Sequence, residues 1–139
     1  MKYRIKQSYT FGSLVALNFT SGSFMVGLLI LYHGIEIFDN DIMKGYFGWD
    51  VFQRQGGKAL VYLGKSTELL AGSLLVLGLF TRIGAVFMIG TFCFITFFVG
   101  HGRFWYEDQH PFLFALFGVL FLFTGPGAWS LDEKLFKKE

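Results

Sequence analysis

The chain has 139 residues, of which 53% are hydrophobic, 20% aromatic and only 16% charged, with a net charge of +2. A soluble domain of this size would be roughly one quarter charged, and a single small core cannot bury so much apolar surface. This composition excludes a disordered chain, an ordinary soluble enzyme and a basic nucleic-acid binder, and it indicates a membrane protein.

Four apolar segments are long enough to cross a bilayer as helices, which takes about 20 residues each. They cover about 14–38, 60–80, 83–100 and 111–129, and Gly125-Pro126-Gly127 is expected to end or kink the fourth. Lipid offers no hydrogen-bond partners to the backbone, so each segment should be helical. The short turn at Thr81 and Arg82 makes the second and third helices antiparallel neighbours. We predict an all-α integral membrane fold, a four-transmembrane-helix antiparallel bundle that forms one domain over residues 1–139.

The stretch between the first two segments, residues 39–58, is too long for a tight turn and mixes aromatic residues with charges. This pattern favours an interfacial segment that lies on the outer membrane surface. A flexible polar loop is the alternative.

The distribution of basic residues predicts the orientation. Four helices place both termini on one side, and that side carries seven of the twelve Lys and Arg residues. Because basic residues concentrate on the cytoplasmic side of membrane proteins, we expect both termini to be cytoplasmic.

Ionisable residues collect near the outer ends of the predicted helices. Glu36 lies one turn after a histidine, and Lys65 and Glu68 lie one turn apart on the second helix. All three histidines fall on this same side: His33, His101 and His110. The topology therefore brings ionisable groups from several helices to one face of the bundle.

Glu68 is the residue that is most expensive to place in a membrane. At about 1.5 Å per residue it lies about 18 Å from the inner end of its helix, where an uncompensated charge costs at least about 2.5–3.5 kcal/mol. In one interpretation Glu68 is neutral, or it pairs with Lys65 or a neighbouring polar side chain, and it locks helix packing. In the other, Glu68 and His33 line a pocket and exchange hydrogen bonds or protons with a ligand such as a quinone headgroup. Both remain open.

Other chemistry has little support in the sequence. The single cysteine, Cys93, excludes an intrachain disulfide and a thiolate metal cage. The histidines lack the spacing of metal ligands, and no glycine-rich phosphate loop is present. We therefore predict no metal and no flavin.

Two charged residues lie at the predicted inner face. Arg82 satisfies the preference for basic residues on that side and for a positive charge near a helix C-terminus. Asp132, after the fourth segment, is expected to form a local cap or to reach a basic group such as Arg82. Both are interpreted as structural.

Short motifs in a fixed order resemble the DoxX family of small four-helix bacterial membrane proteins. They run from the first helix to the end of the fourth: His33-Gly34, Glu68-Leu69-Leu70-Ala71-Gly72, Gly78-Leu79-Phe80-Thr81-Arg82, His101, and Gly125-Pro126-Gly127-Ala128-Trp129-Ser130-Leu131-Asp132. The chain departs from the family pattern at Ile37, where a lysine is common, and at Asn18 and Thr20, where an arginine is usual nearby.

The resemblance implies a location in the bacterial inner (cytoplasmic) membrane and a link to quinone chemistry. Members include quinone-linked oxidoreductase subunits, among them the small subunit of thiosulfate:quinone oxidoreductase. The first hypothesis is thus a membrane subunit that binds a quinone or similar lipophilic ligand for a redox partner protein. Glu68 and His33 are the candidates for the headgroup site, with His101 and Glu36 next, and no catalytic residue is assigned. The alternatives are a structural or assembly subunit and a small-solute or proton pathway.

Overall fold

The computed structural model describes residues 8–127 and 130–136, with side chains described from residue 21 onward. These residues form helices and connecting turns, without strands. The basic residues of 1–7 and 137–139 that entered the orientation prediction, Trp129 of the closing motif, and the side chains of Asn18 and Thr20 lie outside this description.

Six α-helices follow one another along the described chain. Short 3₁₀ turns at Glu36–Phe38 and Asp50–Phe52 flank the second helix, and a π-helical segment, Ile95–Val99, prolongs the fourth. The helices are α1 (Ser8–Ile35), α2 (Asn40–Phe47), α3 (Gly57–Leu77), α4 (Thr81–Phe94), α5 (Gln109–Thr124) and α6 (Leu131–Phe136).

Three stretches within the described residues are long and apolar enough to cross a membrane: Ser21–Phe38, Gly57–Leu77 and Thr81–Val99. The apolar helix α5 has 16 residues, which is below the usual length of a span. The sequence places the fourth segment at about 111–129, with an end or a kink expected at Gly125-Pro126-Gly127, and the structure ends the helix directly before this motif. The helix ends at Thr124 because Gly125 has a positive φ of 69° and Pro126 follows it. The chain is thus an all-α membrane protein.

Glycines let the helices pack in two close pairs. On α1, a Cβ added at Gly27 would lie 2.9 Å from Leu75 Cβ of α3, so the two helices touch at their backbones. On α5, a Cβ at Gly118 would lie 2.7 Å from Ile89 of α4. Close approach through small residues is the usual means of helix association in lipid. The chain therefore forms the pairs α1–α3 and α4–α5, with a shared core that includes Ile30, Leu75, Met88, Phe92 and Phe121.

Residues 39–58 form ordered structure rather than an irregular loop. The carboxylate of Asp39 accepts hydrogen bonds from the N–H groups of Asp41 and Ile42 and so caps α2. On its inward face, Met43 is buried in a small cluster with Phe52 and Val61. This cluster fastens α2 and the following turn to α3.

The tight turn between α3 and α4 is held by the closing motif. Gly78 and Phe80 both adopt left-handed backbone conformations, which is uncommon for a phenylalanine. The carboxylate of Asp132 accepts hydrogen bonds from the backbone N–H groups of Phe80 (2.6 Å) and Thr81 (2.8 Å). Asp132 therefore caps α4 from a distant part of the chain, while Arg82 lies beside Gly125 at the end of α5.

We expect Asp132→Ala to lower the free energy of unfolding by about 1–2 kcal/mol, as loss of a helix N-cap does. Thermal unfolding in detergent measures this loss. Asp41→Ala is the matched control, because Asp41 is exposed and makes only a surface ion pair with Lys44. Equal melting temperatures for the two variants would contradict the capping role.

Candidate functional site

A cavity of about 750 Å³ lies between the two helix pairs. Apolar side chains of α1, α3, α4 and α5 form most of its wall, among them Leu29, Leu63, Phe92, Ile95 and Phe114. Tyr46, Trp49 and Phe52, from α2 and the turn after it, border one end. At its polar end lie His33, Lys65 and Glu68. The cavity is thus a largely apolar chamber that ends on charged groups.

Lys65 is the centre of the charged cluster. Its Nζ atom lies 2.7 Å from Glu36 Oε2 and 3.0 Å from Glu68 Oε2, and it also donates to the backbone carbonyl of His33 at 3.3 Å. Only 9% of the Lys65 side chain and 6% of the Glu68 side chain are exposed. Removing such charges from solvent is tolerated only when they are paired and hydrogen bonded. The ion pairs therefore explain how both charges are kept inside an apolar helix bundle.

Local packing brings these residues together. Lys65 and Glu68 share one face of α3 because they lie one turn apart. Gly34, near the end of α1, rests directly on the backbone of Glu68 and Leu69, with no room for a Cβ atom. This contact brings the 3₁₀ turn that carries Glu36 against α3, within reach of Lys65.

Tyr46 completes the cluster from α2. Its hydroxyl donates to Glu36 Oε2 at 2.7 Å, and its ring lies under Lys65 Nζ at 4.5 Å from the centroid. An ammonium over an aromatic ring is attracted by the negative ring face. Burial, together with the hydrogen bond to Glu36, raises the pKa of Tyr46 above its usual value. The phenol therefore stays protonated and donating at neutral pH.

A second polar feature of the cavity wall joins α3 to α4. Thr91 donates to the hydroxyl of Thr67 at 2.8 Å, and Thr67 donates in turn to the carbonyl of Gly64 at 2.7 Å. Gly64 and Gly90 also line the cavity, and a Cβ atom added at either would meet nothing within 4 Å.

The structure places the residues singled out from the sequence in three different settings. His33 and Glu68 both line the cavity. Glu36 stands behind the lining, joined to Lys65, to Tyr46 and to His33, whose Nδ1 lies 3.4 Å from Glu36 Oε1. His101 lies outside the cavity. It is exposed in the loop after α4, where its backbone N–H donates to Asp108.

Some residues of the site were not singled out from the sequence. Lys65 was considered only as a partner for Glu68, although a lysine inside an apolar helix is itself a signal. Tyr46 and the two threonines gave no such signal, because their roles depend on how α2 and α4 pack against α3. His110, rather than His101, lines the cavity. Among the residues that the structure describes, no group of three or more potential metal ligands comes together.

The fold and the site define the class of this protein: it is an all-helical membrane protein with an apolar chamber and a buried ion-pair cluster. The DoxX family model matches residues 23–101, more than half of the chain, and the chain belongs to this family. It is 33% identical over 131 residues to an uncharacterized membrane protein of Mycobacterium tuberculosis, covering 82% of this chain and 78% of that one. It is also 32% identical over 89 residues to an uncharacterized protein of Haemophilus influenzae, covering 59% and 66% respectively. No solved structure matches the chain.

Proposed function

We propose that this chain is a membrane subunit that binds a lipophilic ligand of the quinone class and presents it to a redox partner protein. The observation that carries the proposal is the apolar cavity that ends on Glu68, Lys65 and His33. Its volume of about 750 Å³ falls within the range of small-molecule sites, which are mostly apolar with a few polar groups that orient the ligand. The proposal includes a separate partner protein, because oxidation or reduction of a quinone needs an electron carrier and the proposed subunit supplies none of its own.

The ligand reaches the cavity from the side, between α3 and α4. Near the tight turn these helices are close, since a Cβ atom at Gly84 would lie 3.1 Å from Leu74. Beyond the hydrogen bond between Thr91 and Thr67, the glycines at positions 64 and 90 line the cavity, and a Cβ atom added at either would meet nothing within 4 Å. Open space at these two glycines suits the entry of a hydrophobic molecule that arrives through the lipid.

The proposal includes a membrane topology. The 16 residues of α5 extend about 24 Å, and flanking residues complete a fourth crossing antiparallel to α4. The helix α2 and the turn after it lie at the outer interface over the cavity, with Ile42 of the helix and Trp49 and Val51 of the turn region exposed toward lipid headgroups. Both termini are then on the cytoplasmic side of the bacterial inner membrane.

A structural or assembly role is the second candidate, and the ion-pair cluster favours it. Lys65 joins the end of α1 to α3, and Tyr46 adds α2 to the same cluster. Such a cluster fixes how three elements pack without any ligand. The two candidate functions make different predictions for the cavity. A ligand-binding subunit needs the cavity to be open, whereas a purely structural subunit does not.

Filling the cavity tests the proposal. We expect Gly90→Leu and Gly64→Leu to weaken binding of decylubiquinone by about tenfold or more, because both glycines line the cavity and a Cβ atom added at either meets no protein atom within 4 Å. Titration calorimetry on the protein in lipid nanodiscs measures the affinity. Gly45→Leu is the matched control, because Gly45 is also helical and open but does not line the cavity. Absence of binding by the unmodified protein, or equal affinity in all variants, would favour the structural role.

A further inference from the structure

The polar end of the cavity is richer in hydrogen-bond acceptors than in donors. Lys65 has three N–H donors, and three acceptors surround its Nζ atom: Glu36, Glu68 and the carbonyl of His33. No N–H group of this ammonium is left for a ligand. The hydroxyl hydrogen of Tyr46 is likewise used by Glu36.

The two threonine hydroxyls on the wall are also committed as donors. Each hydroxyl has a single hydrogen. Thr67 donates its hydrogen to the carbonyl of Gly64, so the bond between the threonines is donated by Thr91. Thr91 lines the cavity, and its hydroxyl therefore has only lone pairs left for a ligand there.

The carboxylate of Glu68 has the same character. Its Oε2 atom accepts from Lys65, while Oε1 has no hydrogen-bond partner among the described residues. That oxygen is not among the fully buried unpaired atoms, and Glu68 lines the cavity. The cluster also holds two carboxylates against one ammonium, so its charge favours a group that donates a hydrogen bond. The histidines of the cavity wall, His33 and His110, can donate or accept, so the preference for a donating ligand rests on Glu68 and Thr91.

We propose that the cavity selects a lipophilic ligand whose headgroup donates hydrogen bonds, a hydroquinone or comparable phenol, over the corresponding quinone. This inference rests on the proposed function. A hydroquinone brings O–H donors to Glu68 Oε1 and Thr91 Oγ1, whereas the carbonyl oxygens of a quinone face other acceptors. Leaving a buried polar group without a hydrogen bond costs more free energy than a typical hydrogen bond contributes.

Three ligands with one tail test the selectivity. The full chain in nanodiscs is titrated with decylubiquinol, with its dimethyl ether and with decylubiquinone. The quinol titration is carried out under anaerobic reducing conditions, and the other two under inert conditions. We expect decylubiquinol to bind about tenfold or more tightly than either of the others, because only it donates. Equal or tighter binding of decylubiquinone overturns the inference but leaves the proposed function standing. Binding of none of the three overturns both.

Two substitutions assign the selectivity to named atoms. Glu68→Gln keeps an acceptor for Lys65 and turns an amide N–H₂ toward the cavity, so the quinol-to-quinone affinity ratio should fall by about tenfold. Thr91→Val removes the hydroxyl acceptor but keeps the shape of the side chain, so it should weaken binding of the quinol and leave binding of the quinone unchanged. The matched controls are Glu107→Gln in an exposed ion pair and Thr124→Val on the exposed face of α5. An affinity ratio that is the same in Glu68→Gln, Thr91→Val and the unmodified protein contradicts the assignment, and circular dichroism confirms that each variant is folded.

Discussion

Lys65→Met is expected to lower the free energy of unfolding by about 3–5 kcal/mol, the usual effect of breaking a buried ion pair by removing one partner. Methionine fills a similar volume in the helix, so the loss comes from charge rather than from packing. The carboxylates of Glu36 and Glu68 would remain with little exposure, 16% and 6% of their side chains, and without the ammonium that compensates them. Chemical unfolding in mixed micelles measures the change.

Two further variants test whether the loss of stability comes from the uncompensated carboxylates or from the removal of any lysine. Lys44→Met removes a lysine of the same i,i+3 ion-pair type, with 73% of its side chain exposed, and should change stability little. Adding Glu36→Gln and Glu68→Gln to Lys65→Met removes the uncompensated charges and should recover most of the loss. If the triple variant is no more stable than Lys65→Met, charge compensation is not the reason for the cluster.

Gly34→Ala is expected to destabilise the fold by about 1–3 kcal/mol, the range found for overpacked sites, and to weaken ligand binding as well. A Cβ atom at this position would collide with the backbone of Glu68 and Leu69, which cannot yield as a flexible side chain does. The end of α1 must then move away from α3 and take Glu36 away from Lys65. Thermal unfolding and ligand titration on the same preparation follow both effects.

The control for this substitution lies on the same helix. Gly22 has nothing within 4 Å of an added Cβ, so Gly22→Ala should be neutral or slightly stabilising because alanine favours a helix. If Gly34→Ala behaves like Gly22→Ala, the close contact between α1 and α3 does not hold the cluster together.

Hydropathy was sufficient to predict an all-helical membrane protein, since a long apolar run has few other solutions in lipid. The helix ends were less predictable. The motif Gly125-Pro126-Gly127 indicated where α5 ends, but α4 begins after a left-handed Phe80 whose N–H donates to Asp132, more than fifty residues later. Hydropathy carries no information on such contacts.

The charged cluster was partly predictable and for a clear reason. Glu68 and Lys65 share a helix face, so their proximity follows from helical geometry alone. Tyr46 reaches Glu36 only because α2 packs on α3 through Met43, a tertiary contact. The position of His101 depends on the loop after α4, in which the backbone N–H groups of His101 and Arg103 donate to the carboxylate of Asp108, and this loop geometry could not be predicted from the sequence.

We propose above all that a quinone-class molecule occupies the cavity between the two helix pairs. The most direct measurement is mass spectrometry of lipids extracted from the purified protein, with quinone and quinol quantified per protein chain. The account predicts retention of these molecules by the unmodified protein and by Gly45→Leu, and a loss of about tenfold in Gly90→Leu. Equal amounts in all three, or none in the unmodified protein, would contradict it.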